Sequence, residues 1–149
     1  MTLRHATLSG LAQELASGRT TARALVEDCL ARIEDTTGEG ARAFIRVDAE
    51  QARATADGID KLRAADAAPS PYAGIPVAIK DLADIKGQVT CAGSRALRDS
   101  PPATADAPSV ARLRRAGFIL IGRANMTEFA YSGLGINPHY GTPASPWQR

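Results

Sequence analysis

Cysteine is scarce in this chain. Cys29 and Cys91 are the only two, they stand far apart, and neither belongs to a C-x-x-C pair. That excludes a disulfide framework and a cysteine-built zinc site. It leaves two small half-buried thiols and a reducing compartment, the cytoplasm. Histidine is equally rare: His5 lies near the start, His139 lies in the final loop, and neither has a second ligand at metal spacing. No metal centre is expected from them. No run of about 18 apolar residues occurs, so no membrane span is expected. The opening MTLRHATLSG has no apolar h-region, so it does not read as a signal peptide. The glycines form neither G-x-G-x-x-G nor G-x-x-x-x-G-K-[ST], and there is no G-x-S-x-G elbow. A formal charge of +2 is too small for a polyanion surface, so direct nucleic-acid binding is not expected.

What is present is ordinary soluble-domain material: 149 residues, 44% hydrophobic and 23% charged. The charge changes sign along the chain. Residues 1–66 carry 9 basic and 11 acidic side chains, and residues 67–149 carry 9 and 5. Residues 1–66 read as a helical N-terminal segment. Leu8, Leu11, Ala12 and Leu15 keep helical spacing, with Gly18 as a stop. Leu25, Val26, Cys29, Leu30 and Ile33 form an apolar stripe that Thr20 or Thr21 can cap. AFIRV (43–47) is a short strand. Asp48 with Gln51 resembles a capping box before a third helix marked by Ala52, Ala56, Ile59 and Leu62.

From residue 67 the chain alternates. DAAPSPYAG is a connector, IPVAI a strand, and Ser94–Leu97 a short helix capped by Ser94. Ser109–Ala116 is a helix capped by Ser109 and stopped by Gly117. FILIG is a strand, and Met126–Tyr131 a helix. Continuous apolar strands between short helices suggest an α/β fold whose sheet is covered on both faces. The remainder, SGLGINPHYGTPASPWQR, has no periodicity, and an irregular loop of that length is usually functional or disordered. The chain stops inside it and therefore reads as the N-terminal part of something larger.

Lys80, at the end of GIPVAIKD, is the candidate for chemistry. On a strand over 75–80, Ile75, Val77 and Ile79 share one face, while Pro76, Ala78 and Lys80 share the other. Only three of the 18 basic residues are lysines, and lysine, unlike arginine, can lose its proton in a protein. One reading is therefore a desolvated lysine that serves as a base. The other is a strand-end lysine that snorkels to water. Ser132 in YSGLG stands beside Gly133 and Gly135, which let a backbone approach a ligand closely; a flexible turn is the competing reading.

Taken in order, GIPVAIKD, TCAGSRAL, SVARLRRAGFILIGRANMTEFA and GINPHYGTPASPW resemble the N-terminal part of the amidase signature family. That family includes the glutaminase component of tRNA-dependent amidotransferases. The likeness runs from about residue 7 to the end and is densest from Gly74 onward. It implies the N-terminal portion of an α/β/α sandwich with a mixed β-sheet. Residues 67–149 then form the start of the amidase core, truncated before the Gly/Ser-rich catalytic stretch. It also implies hydrolysis of carboxylic amides by a Ser–Ser–Lys triad with no metal or organic cofactor, and it makes Lys80 the triad lysine. A neutral lysine there takes a proton through a bridging serine and so activates the nucleophilic serine, while backbone N–H groups hold the oxyanion. Tyr131, Ser132 and Gly133 match the segment that lines the substrate cleft.

Neither triad serine lies within the 149 residues, so the chain alone is expected to be inactive. The implied partners are a small-molecule amide substrate and either a second copy of the chain or a partner subunit. The alternatives are a glutaminase component of an amidotransferase and a non-catalytic, partner-binding product. The choice of amide is not written in these residues.

Overall fold

A computed structural model describes residues 6–145; His5 and Trp147 lie outside the described residues. The chain divides into two compact units, each assembled from separated stretches of sequence. The first comprises Met1–Ala31, Asp48–Val77 and Arg112–Ile121, and the second Arg32–Val47, Ala78–Ala111 and Gly122–Arg149. Helices α1 (Leu8–Ala16), α2 (Ala22–Glu34), α3 (Gly40–Ala43), α4 (Ala49–Ala64) and α5 (Pro108–Arg115) accompany strands β1 (Phe44–Val47), β2 (Pro76–Lys80) and β3 (Ile119–Ala124). The strands form one sheet in the order β1-β3-β2.

In the first unit, the apolar stripes of the sequence become the core. Leu11, Leu15, Leu25 and Ile75 are buried together, with Ala6 and Phe118 packed against them. Helix α4 contributes Ala52, Ala56 and Ile59, mostly small side chains that permit close approach. Thr7 caps α1 by accepting the Gly10 N–H, and Gly18 follows the helix at φ +70°. Thr21 caps α2 by accepting the Ala24 N–H, and a second cap arrives from a distance. The Asp60 carboxylate accepts the N–H groups of Ala22 and Arg23 at 2.7 and 3.0 Å. The connector over 67–75 is pinned: Arg63 donates to the carbonyls of Pro71 and Ala73, and Ser70 to that of Ala116. Gly74, at φ +97°, could not carry a side chain, because a Cβ would stand 2.7 Å from that of Ala22.

Strands β1 and β3 pair antiparallel, with Phe44 opposite Ala124 and Val47 opposite Gly122. Beside β3, β2 runs parallel. The Ile119 N–H bonds the Ile75 carbonyl at one end, the Asp81 N–H bonds the Ala124 carbonyl at the other, and both residue numbers rise together. The sheet is therefore mixed, as the fold class required.

Four local expectations need correction. Ser94–Leu97 is a series of turns rather than a helix. Ser94 caps nothing, because its hydroxyl donates to Glu128 and accepts the Ala96 N–H. Helix α5 begins at Pro108, whose missing N–H costs nothing in a first turn, so Ser109 lies inside the helix rather than before it. Met126–Tyr131 contracts to a 3-10 turn over Glu128–Ala130, in which Phe129 and Ala130 stand at φ 52° and 55°. Asp48 is the N-cap residue of α4 but makes no side-chain capping bond, so no capping box closes there. Among the described residues, no helix is long and apolar enough to cross a membrane.

Candidate active site

Strand β2 ends on Lys80, and the environment reverses at the next residue. Ile79 and Asp81 are buried whereas Ala78 and Lys80 are exposed, so the period of two persists through the strand end. The chain turns directly after Lys80, whose carbonyl accepts the Leu82 N–H at 2.7 Å. Among the described residues, the Lys80 ammonium has no hydrogen-bond or ion-pair partner. The face that carries it is open in this chain.

Beneath Lys80, Asp81 forms an ion pair with Arg123 at 3.0 Å, their side chains 0% and 2% exposed. Desolvating two charges costs several kcal/mol per ion, and the pair persists only where hydrogen bonds occupy the remaining donors and lone pairs. Here they do. The Asp81 carboxylate also accepts the backbone N–H groups of Gly93 at 2.9 Å and Cys91 at 3.4 Å. Arg123 gives Nε to Gln88 at 2.9 Å, a second Nη1 bond to the Ala83 carbonyl, and a long Nη2 contact to Thr90. One buried pair thus ties the end of β2, the end of β3 and the 88–93 loop together.

A second polar cluster organises the final irregular segment. Asn137, 1% exposed, donates Nδ2 to the carbonyls of Gly93 and Met126 and accepts the N–H groups of His139 and Tyr140. Gly93 stands at φ +68°, and a Cβ there would meet the Met126 carbonyl oxygen at 2.8 Å. Glu128 accepts the buried Ser94 hydroxyl at 2.5 Å and lies 3.0 Å from His139 Nε2. The Ser94 bond, with His139 adding to it, holds the Glu128 carboxyl below the usual carboxylate range against partial desolvation. The loop is long but not loose.

Tyr131, Ser132 and Gly133 also lie in the second unit. Tyr131 is 93% exposed, the Ser132 hydroxyl accepts the Leu134 N–H, and a Cβ at Gly133 would meet nothing within 4 Å. Among the described residues, no hydrogen bond links these three to Lys80. Sequence reasoning missed Asp81, Arg123 and Asn137 as organising residues. Arginine at an inward register position of the apolar strand ILIGRA was the available signal for Arg123.

A family model described as Amidase matches residues 24–149. The chain belongs to the amidase signature family. AtzE of Pseudomonas sp. (strain ADP), a component of 1-carboxybiuret hydrolase, is 48% identical to this amidase-family chain over 132 residues, covering 89% of the chain and 29% of that protein. The GatA-type component of the glutamyl-tRNA(Gln) amidotransferase of Synechococcus sp. (strain CC9605) is 40% identical over 147 residues, covering 99% and 30%. The solved peptide amidase of Stenotrophomonas maltophilia superposes with a TM-score of 0.84 at 29% identity, covering 98% and 31%. The chain thus spans about 30% of the length of the curated relatives it matches.

Proposed function

We propose that this chain supplies the lysine of an amidase-type hydrolase that cleaves the C–N bonds of carboxylic amides through a Ser–Ser–Lys triad. The observation that carries the reading is the place of Lys80 at the end of β2 in GIPVAIKD, on a backbone fixed from beneath by a buried ion pair. Its ammonium is exposed within these residues, and the remainder of the site must desolvate it to make it a base. In this mechanism the neutral Nζ takes the proton of a bridging serine as that serine takes the proton of the nucleophile. The nucleophile adds to the amide carbon, and the proton returns to the leaving nitrogen. Both serines lie outside these 149 residues. Tyr131, Ser132 and Gly133 form part of the substrate edge. Two consecutive non-glycine residues at positive φ before them, and the open space at Gly133, support that role. The same reading places a helical segment at 1–66 and the start of the amidase core at 67–149, in a cytoplasmic enzyme.

The chain incubated alone with aryl and aliphatic amides should release no amine or ammonia, because removing a triad nucleophile leaves little catalysis. Turnover that Lys80→Met abolishes would place the nucleophile within these residues and overturn the division proposed here.

The 40% identity over 147 residues to an amidotransferase component favours a second reading, a glutaminase that works with partner subunits. Copurification of the chain with such a partner supports it. A chain that runs as a monomer with a fully protected core in hydrogen exchange argues against both a fragment and a partner-binding product.

A further inference from the structure

We propose that the second unit holds a binding site for a small organic dianion, in the cavity of about 320 Å³ walled by Arg46, Asp81, Cys91, Arg98, Arg123 and Tyr140. The volume lies at the lower edge of the ~300–1,000 Å³ typical of small-molecule sites. Lys80 is not among the lining residues, and the site is independent of the triad reading.

Charge comes first. Three arginines face one aspartate, so the wall carries a net charge of +2. Among the described residues, Arg98 has only Asp99 for company, at 3.5 Å and largely in water, where such a pair is worth little. Hydrogen-bonding capacity points the same way. The Asp81 carboxylate already accepts two backbone N–H groups and Arg123. Asp81 and Arg123 are each nearly saturated. Arg123 has five N–H donors and makes four bonds, the Nη2 bond to Thr90 being long at 3.4 Å. Among the described residues, the Tyr140 hydroxyl and the Cys91 thiol have no hydrogen-bond partner. Burial raises the pKa of both groups, so each stays protonated at neutral pH and adds a donor rather than a negative charge. A cavity lined by three arginines and one aspartate, with the Tyr140 hydroxyl and Cys91 thiol as further donors, fits carboxylate or phosphate groups better than cations.

Cys91 supplies the readout. The rate of its alkylation by N-ethylmaleimide is followed by peptide mass in the chain, with Cys29 as the internal control. Succinate, inorganic phosphate and butane-1,4-diol are compared at millimolar concentration, with chloride matching the ionic strength. Succinate or phosphate should slow Cys91 labelling several-fold and leave Cys29 unchanged, and the more effective of the two identifies the ligand as carboxylate or phosphate. Arg98→Gln and Tyr140→Phe, both outside the buried pair, should each weaken the protection roughly three- to tenfold, up to about 1.4 kcal/mol. Protection by the diol or chloride equal to that by the anions, or no protection by either anion, overturns the proposal.

Discussion

Asp81 and Arg123 stand 42 positions apart in sequence and 3.0 Å apart in space, both almost wholly withdrawn from water. Removing one partner leaves the other charge buried and uncompensated. Arg123→Met should therefore cost about 3–5 kcal/mol in chemical denaturation. The double substitution Asp81→Leu with Arg123→Met should recover part of that loss, since an apolar pair leaves no orphaned charge. A single substitution within about 1 kcal/mol of the parent would show that the pair does not organise the end of β2.

Asp60 caps a helix other than its own. Asp60→Ala leaves the Ala22 and Arg23 N–H groups without their acceptor and should destabilise the chain by about 1 kcal/mol. Asp60→Asn, which keeps one acceptor oxygen, should lose less. Thermal melts of the two variants separate a capping role from a general charge effect.

Two glycines should respond in opposite directions. Gly58 lies inside α4 with nothing within 4 Å of a Cβ, so Gly58→Ala should stabilise by roughly 0.5–1 kcal/mol. Gly93→Ala must meet both a positive φ and the Met126 carbonyl, and should destabilise by more than about 1 kcal/mol. Denaturation midpoints of the two variants on either side of the parent's would bear this out.

Glu27 accepts bonds from Arg53 and Arg23, which hold its carboxyl down to about 2. Its folded pKa lies below the unfolded value of about 4.3. Its contribution to stability is therefore complete above that value and disappears as pH falls towards 2. The group is exposed, so salt should weaken the effect. A carboxyl titration by NMR should place Glu27 near 2 in the parent and higher in Arg53→Gln.

Much of this was legible in the sequence, because the determinants were local. The apolar stripes of α1, α2 and α4, the stops at Gly18 and Gly117, and the alternation through Ile79, Lys80 and Asp81 each lie within a few residues. The failures share a cause. Ser94 looked like a cap because nothing nearby revealed Glu128, 34 positions away, which takes its hydroxyl. The turns over 91–97 follow from backbone N–H groups given to Asp81 and a Gly93 carbonyl given to Asn137. The final loop had no period to read, since it is held by scattered hydrogen bonds from Asn137, Asn125, Arg95, Glu128 and Glu39 rather than by a buried face. Lys80 was legible as a position; its chemistry rested on the resemblance.

We propose Lys80 as the base of a triad completed outside these residues. The most direct measurement is amide hydrolysis by the protein expressed from its whole reading frame, parent against Lys80→Met, with folding checked by circular dichroism. If Lys80 is that base, kcat/KM falls by about 10³-fold or more while the fold is kept. A Lys80→Met protein that keeps its activity within about tenfold, or 1.4 kcal/mol of barrier, would contradict the claim.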